Sequence, residues 1–229
     1  MNTSRKFLTA TLLALVAISP ALAEGNRYSK DGFFIGLSGY NLSPGGDLDK
    51  GLVLWHFEKA FFIPKMQKAT GFALGFGYKK SSALWDLAYL RSSHKTNLPG
   101  AESESTFNSI EVSGRIFLLK YAPIQPYILF GISIPWIHVR NGAQLYDTTS
   151  NATYYGMGLN LGGGITINLL PRLFISGGVV YRYLGFLYVS GEGKGRDIND
   201  LRVGYGGPEW GKLLRTQSLG LAFGMGFTF

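Results

Sequence analysis

The last twelve residues, 218–229, read SLGLAFGMGFTF and alternate strictly between two kinds of side chain. Large apolar residues occupy every second position from Leu219 to Phe229, and glycine, alanine or threonine stands between them. A period of two places each kind on its own face of a β-strand. In a water-soluble protein the second face would usually carry polar or charged groups. The stretch therefore predicts a strand with one face in lipid and one in a crowded interior.

The same alternation recurs along the chain and predicts eight strands. The seven earlier runs lie at 31–40, 70–80, 82–91, 109–119, 126–136, 154–169 and 173–183. Each is long enough for the roughly 9–11 residues that a tilted strand needs to cross a bilayer. We therefore expect an all-β fold, an eight-stranded antiparallel transmembrane β-barrel.

The connections between the runs are alternately short and long. Short links are expected at 79–82, 120–123 and 170–172, and long ones at 41–69, 92–106, 141–152 and 190–213. Barrels of the bacterial outer membrane have short periplasmic turns and long extracellular loops. The first long connection could hide a strand, but one extra strand would invert every later loop, and two would each be too short to span. We therefore keep eight strands.

The N-terminal residues have the pattern of a secretory signal. Arg5 and Lys6 precede a short apolar run, and Ala21–Ala23 is an A-x-A cleavage site. We predict a cleaved signal peptide at 1–23 and an outer-membrane β-barrel domain at 24–229. The sequence contains no cysteine, which excludes disulfides and thiolate nucleophiles.

The charge of the chain indicates which partners to expect. The net charge is +8, and it is scattered rather than concentrated in a basic tract, so we expect no nucleic-acid partner. A basic exterior suits the anionic headgroups of outer-membrane lipid and lipopolysaccharide.

Four charged residues fall on the predicted lumen face. Glu111 and Arg115 are four apart on one strand and therefore share a face, and Asp86 and Arg182 have the same orientation on theirs. Buried charges must be paired. We predict a polar network in the lumen, either salt bridges that fill a narrow barrel or a polar gate in a conduction path. Eight strands leave room for side chains or a small ligand, but not for a wide channel.

The first long connection is unusually apolar for a loop. It contains Trp55, Phe57, Phe61 and Phe62, each of which would forgo about 1.5–3 kcal/mol of burial if it stayed in water. We predict that residues 51–63 fold over the extracellular mouth and gate the lumen. The alternatives are a lid packed on the rim and a surface that meets an external partner.

The residues do not form a recognisable catalytic, cofactor-binding or metal site. His56, His94 and His138 fall in or beside predicted loops, where we expect solvated side chains. They lack the His–Ser–carboxylate arrangement of a hydrolase and the spacing of metal ligands. The glycine-rich segment GEGKGRD, 191–197, lacks the context of a phosphate-binding loop. We therefore expect a protein that is not an enzyme and has no cofactor.

These patterns resemble the small outer-membrane β-barrel superfamily, which includes the opacity-like porins, the OmpW-like proteins and the barrel of outer-membrane protein A. The resemblance is carried by QPYILFGIS (125–133), LNLGGGITI (159–167), LFISGGVVYRY (173–183) and GMGFTF (224–229). Ser133 departs from the glycine that often follows the PYxxxGx pattern in opacity-like chains. The motifs are patterns rather than invariant residues, so they specify architecture better than activity.

The resemblance implies an assembly signal and several possible functions. Phe223, Met225, Phe227 and Phe229 are similar to the terminal signal read by the barrel-assembly machinery, an expected partner. Likeness to OmpW-like proteins implies a narrow porin-like or small-solute uptake barrel, gated by the first loop and passing a small apolar solute. The alternative is a surface-exposed structural or adhesion protein that binds a host or envelope partner without conduction. A lipid A-modifying enzyme is a remote alternative.

Overall fold

The structure of the chain is a computed structural model. It describes residues 29–56, 59–98, 101–145, 148–191, 194–197, 202–203 and 214–229. The predicted signal peptide and Phe57 lie outside the described residues, and the signal peptide stays a prediction.

Nearly all of the described chain is β-strand. In chain order the strands are β1 (Gly32–Gly46), β2 (Leu52–His56), β3 (Lys59–Ile63), β4 (Lys65–Met66), β5 (Ala69–Lys80), β6 (Ala83–Leu98), β7 (Ala101–Phe117), β8 (Ile124–Leu145), β9 (Thr148–Asn168), β10 (Leu173–Gly191), β11 (Lys194–Asp197), β12 (Arg202–Val203) and β13 (Leu214–Thr228). One helical turn, α1 (Asp47–Lys50), follows β1. Within the described residues, no helix is long and apolar enough to cross a membrane.

Eight of these strands form a closed antiparallel barrel. They pair in the order β1, β5, β6, β7, β8, β9, β10 and β13, and β13 returns to β1. Links at 81–82, 118–123 and 169–172 join them at one end. The predicted eight-stranded barrel with short turns at that end is confirmed.

The period of two separates the two faces of the wall. Outward positions carry large exposed apolar side chains on all eight strands, and Phe223 reaches 67% exposure. Inward positions are small or tightly packed. Gly226, for example, lies under the ring of Phe174, and a Cβ at Gly226 would come within 2.2 Å of that ring. The glycines of the inner face therefore give the lumen aromatics a surface on which to pack.

The predictions of loops at 92–106 and 141–152 are wrong, because the described residues of both segments are extended strand. β6 and β7 remain paired as far as Leu98 and Ala101, and β8 and β9 as far as Leu145 and Thr148. β8 has 22 residues, about twice the number needed to cross a bilayer. These hairpins form an extension outside the membrane. Their outward residues face water, so the apolar alternation that identified the other strands stops there.

The first connection crosses the mouth of the barrel. It leaves β1 and returns to β5, yet β3 pairs with β8, with Phe61 opposite Ala143. β8 lies four strands from β1 in either direction around the barrel. Within this connection β2 and β3 form a hairpin, and β4 pairs with β6. The predicted connection at 190–213 is also partly strand, because β11 pairs with β10 and β12 with β2.

Substitution of Gly226 by alanine should destabilise the barrel, because its Cβ would overlap the Phe174 ring. We expect a loss of about 1–3 kcal/mol, as for other overpacked cores. Gly39→Ala is the matched control, since its Cβ would meet only the Phe223 carbonyl oxygen, at 4.0 Å. The free energy of unfolding in urea, measured in lipid vesicles, should fall for Gly226→Ala alone. An equal effect in both variants would contradict the packing argument.

Candidate functional site

The lumen contains a buried ion pair between opposite parts of the wall. Arg182 on β10 donates from Nε to Oε1 of Glu111 on β7 at 2.7 Å, and from Nη2 to Oε2 at 3.1 Å. The guanidinium carbon of Arg182 also lies 4.9 Å from the ring centroid of Tyr40 on β1. Both charged side chains are almost fully buried. The ion pair and the contact with the Tyr40 ring therefore join three strands, β10, β7 and β1, across the lumen.

A second pair lies closer to the periplasmic end. Arg115 donates from Nη2 to Oδ2 of Asp86 at 3.5 Å, and the hydroxyl of Ser113 donates to the same carboxylate. The other terminal nitrogen of Arg115 is 3.5 Å from the hydroxyl oxygen of Ser176 on β10. The guanidinium carbon lies 5.3 Å from the ring centroid of Tyr127. The four predicted lumen charges thus form two separate pairs, and both arginines connect β7 with β10.

The space beside these pairs is very small. A cavity of about 20 Å³ lies between Asp86, Arg115, Tyr40 and the rings of Phe34 and Phe174. That volume holds about one water molecule. Among the described residues, side chains therefore fill this layer of the lumen.

A buried lysine closes the periplasmic end. Lys79 donates from Nζ to the Ser29 hydroxyl and to Oδ1 of Asn168, both at 2.7 Å. The same nitrogen lies 5.0 Å from the ring centroid of Phe174. Nδ2 of Asn168 in turn donates to Oε1 of Gln125 at 3.0 Å. The sequence pattern did not indicate this cluster, although Lys79 shares its strand face with the small residues that line the lumen.

An apolar cluster closes the extracellular end. It includes lumen-facing side chains from seven of the eight barrel strands, among them Leu42, Leu90, Phe107 and Leu184. The first connection contributes Leu48, Leu54, Phe61, Ile63 and Met66.

Only part of the predicted gate belongs to this cluster. Phe61 is buried, whereas Trp55 and Phe62 are half-buried on the opposite face of the hairpin. Leu54, directly opposite Phe61 in the hairpin, was missed. A period of two within 52–63 would have identified it, since the two faces of a short hairpin also alternate.

His94 holds the returning leg of this connection, so its prediction as a solvated loop residue is wrong. It is buried in the extension of β6, above the membrane-spanning part of that strand. Its Nδ1 lies 2.8 Å from the Gln67 carbonyl oxygen, which can only accept, so Nδ1 carries the proton. Its Nε2 is 2.8 Å from the Ser92 hydroxyl, which donates to it. Burial lowers the pKa of His94, and the bond to Gln67 opposes that shift.

The four residues of the predicted assembly signal lie along the lipid-facing side of the last strand. Phe223, Met225 and Phe227 are exposed outward, and the backbone N–H of Phe229 donates to the Phe33 carbonyl at 2.8 Å. Their recognition by the assembly machinery stays a prediction.

Two known structures have a fold similar to that of this chain. The structure of Neisserial surface protein A is 17% identical over 86% of this chain and 97% of that one, with a TM-score of 0.53. That of OprG from Pseudomonas aeruginosa is 11% identical over 90% and 99%, with a TM-score of 0.51. The fold is that of the small outer-membrane β-barrels. No model of a known protein family and no curated protein matches the chain.

The outer face of the barrel agrees with this class. Its exposed apolar side chains encircle the wall, and such a continuous surface is stable only against lipid. The chain is therefore an outer-membrane β-barrel protein, with the long strand extensions on the extracellular side.

Removing one partner of the cross-lumen pair should destabilise the barrel strongly. Arg182→Met leaves the Glu111 carboxylate buried and unpaired, which costs about 3–5 kcal/mol. Glu111→Leu with Arg182→Met should recover most of that loss, because no buried charge remains. Urea unfolding in vesicles measures both, and Arg91→Met, an exposed arginine, is the control. A double variant no more stable than the single one would contradict the pairing.

Acidification should loosen the first connection through His94. A folded-state pKa below the ordinary value of about 6.5 gives stability that is fully present above that value and is lost as the pH falls below it. Hydrogen exchange of residues 59–67, corrected for intrinsic rates, should therefore increase between pH 7 and pH 5. His94→Asn should abolish this change, and His138→Asn should retain it. Greater protection at low pH would have the wrong sign for this mechanism.

Proposed function

We propose that this protein is a surface-exposed structural and interaction barrel that does not conduct in its resting state. The observation that carries this proposal is the Glu111–Arg182 pair, which joins opposite sides of the lumen. The Lys79 cluster below it and the apolar cluster above it add two further obstructions. This function was the alternative in the sequence analysis, and the filled lumen favours it over a pore.

The energetics of the lumen support the same choice. Passage of a solute would require the buried pairs to separate, and an unpaired buried charge costs about 3–5 kcal/mol. Each pair also contacts an aromatic ring, so separation would disturb the packed layer as well. The lumen therefore serves best as the polar and aromatic core of a rigid barrel.

The extracellular half supports a binding role. The paired extensions of β6 and β7 place charged side chains such as Lys95 and Glu104 on regular strands outside the membrane. Binding residues held on a rigid scaffold are positioned more accurately than those on loose loops. The extension thus suits recognition of an envelope or external partner.

A small-solute uptake barrel gated by the first connection is the second candidate. The observation that favours it is the composition of the extracellular closure, where Phe61, Ile63 and Leu54 of the β2–β3 hairpin contribute side chains to the mouth. If that hairpin were the principal barrier, its movement would admit a small apolar solute.

Deletion of residues 52–63 distinguishes the two candidates. The cut ends already lie close together, because a Cβ on Gly51 would be 3.3 Å from the Lys65 nitrogen. The proposal predicts a folded barrel whose conductance in planar bilayers stays at the wild-type level, since the two lower obstructions remain. The uptake candidate predicts that this deletion alone raises conductance.

A positive control establishes what an open lumen would conduct. It combines the deletion with serine at Glu111, Arg182, Asp86, Arg115 and Lys79 and with Phe174→Ala, which remove both ion pairs and the centre of the Lys79 cluster. Heat-modifiable migration on a gel checks that each variant is folded. A simple deletion whose conductance rises above the wild-type level to that of the combined variant would overturn the proposal in favour of gated uptake.

A further inference from the structure

One side of the extracellular extension contains a polar groove. It has a volume of about 350 Å³ and lies between the β6–β7 hairpin and the irregular turn of β8 near Asn141. Two cations, Lys95 and Arg140, line it together with the carboxylate of Glu104. Its remaining polar groups include the amides of Gln67, Asn97 and Asn141. Amide and carboxylate groups suit sugar hydroxyls, and the two cations suit phosphate.

Strand register fixes the height of this groove above the membrane. Phe72, Arg91, Asn108, Trp136 and Tyr155 are successive partners across β5 to β9 and form one outward row. Apolar side chains lie below this row, and aromatic residues within it mark the edge of the lipid-facing surface, as is usual at membrane interfaces.

Both groove cations lie the same distance beyond that row. Lys95 is four residues past Arg91 on β6, and Arg140 is four residues past Trp136 on β8. Four residues of strand span about 13 Å, which is about 10 Å along the membrane normal for strands tilted by about 40°. The groove therefore lies in the zone occupied by the headgroups of outer-leaflet lipids.

A second groove lies below the row on the same side of the barrel. It is apolar, has a volume of about 380 Å³, and opens on the outer wall across β6 to β9. Its lining includes Trp85, Val112, Phe130, Ile132, Leu159 and Leu161. Val112 and Ile132 are paired four residues below the outward row, so the apolar groove begins within the acyl-chain layer, where the lower part of an outer-leaflet chain lies.

On the other side of the barrel, two cations, Lys194 and Arg196, lie on β11, which pairs with β10. The outward positions above the apolar band on β9, β10, β13 and β1 are mostly uncharged, as at Asn151, Thr153, Tyr183, Gln217 and Asn41, with Arg215 the cation among the described residues there. On the groove side, Lys65, Arg91, Lys95 and Arg140 are exposed cations, and the acids on the same side are Glu102 and Glu104 of β7. The charge above the apolar groove is therefore net positive.

We propose that these two grooves bind one phosphorylated glycolipid of the outer leaflet. Its sugar phosphate contacts Lys95 and Arg140, its hydroxyls contact Glu104 and the amides, and one acyl chain occupies the apolar groove. The charge of the upper groove and its alignment with the lower one select a lipid over a free sugar. This site does not depend on whether the lumen conducts.

Lipid A binding to the barrel in detergent micelles, followed by native mass spectrometry, tests the upper groove. Lys95→Gln with Arg140→Gln should weaken binding about 30-fold, because each cation beside an anionic lipid headgroup strengthens binding about fivefold. Lys120→Gln with Arg172→Gln is the matched control, because it removes two exposed charges at the periplasmic end. Dephosphorylated lipid A should bind the wild-type protein as weakly as lipid A binds the groove variant.

The lower groove is tested by filling it. Val112→Trp should weaken lipid A binding but leave the weaker binding of the deacylated phosphosugar unchanged, and Leu219→Trp, on the far side, should change neither. Equal affinity in the groove variant and the wild type, or an equal loss in the periplasmic control, would overturn the proposal. Deacylated phosphosugar that binds as tightly as lipid A would overturn the lipid assignment in favour of a soluble saccharide.

Discussion

A sheet that crosses lipid cannot leave a backbone edge unpaired, and the rest of this structure depends on that constraint. The pairing of β13 with β1 satisfies it and closes the barrel. Closure of eight strands fixes a narrow lumen, which side chains then fill. Because charged groups cannot stay unpaired there, Glu111 and Arg182 join across the space instead of lining a channel.

The membrane part of the fold could be predicted because the environment leaves a simple trace in the sequence. Outward residues must be apolar and inward residues must be small, so a period of two identifies each strand. Beyond the bilayer the outward residues face water, so they need not be apolar. The apolar alternation ends at Ser93 and Lys95 although the strand continues. For this reason two hairpin extensions were predicted to be loops.

The lumen could be predicted from strand faces, but its partners could not. The orientation of Glu111, Arg115, Asp86 and Arg182 follows from the alternation, whereas the choice of partner depends on register and side-chain reach across the barrel. Docking of the first connection on β8 involves strands that are distant in sequence, so the alternation within 52–63 separates the two faces of the hairpin but does not indicate which face is buried. Phe61 is buried and Trp55 is not, because they lie on opposite faces of a hairpin.

The pairing of β3 with β8 also has a consequence for the order of folding. Lys59 is made early in the chain, but its partner Leu145 belongs to a strand that is reached only after three more barrel strands. A contact between segments so far apart forms slowly, since a long loop must close first. The hairpin should therefore dock last, after the wall is complete, and newly inserted barrels would pass through a state with an uncovered extracellular mouth.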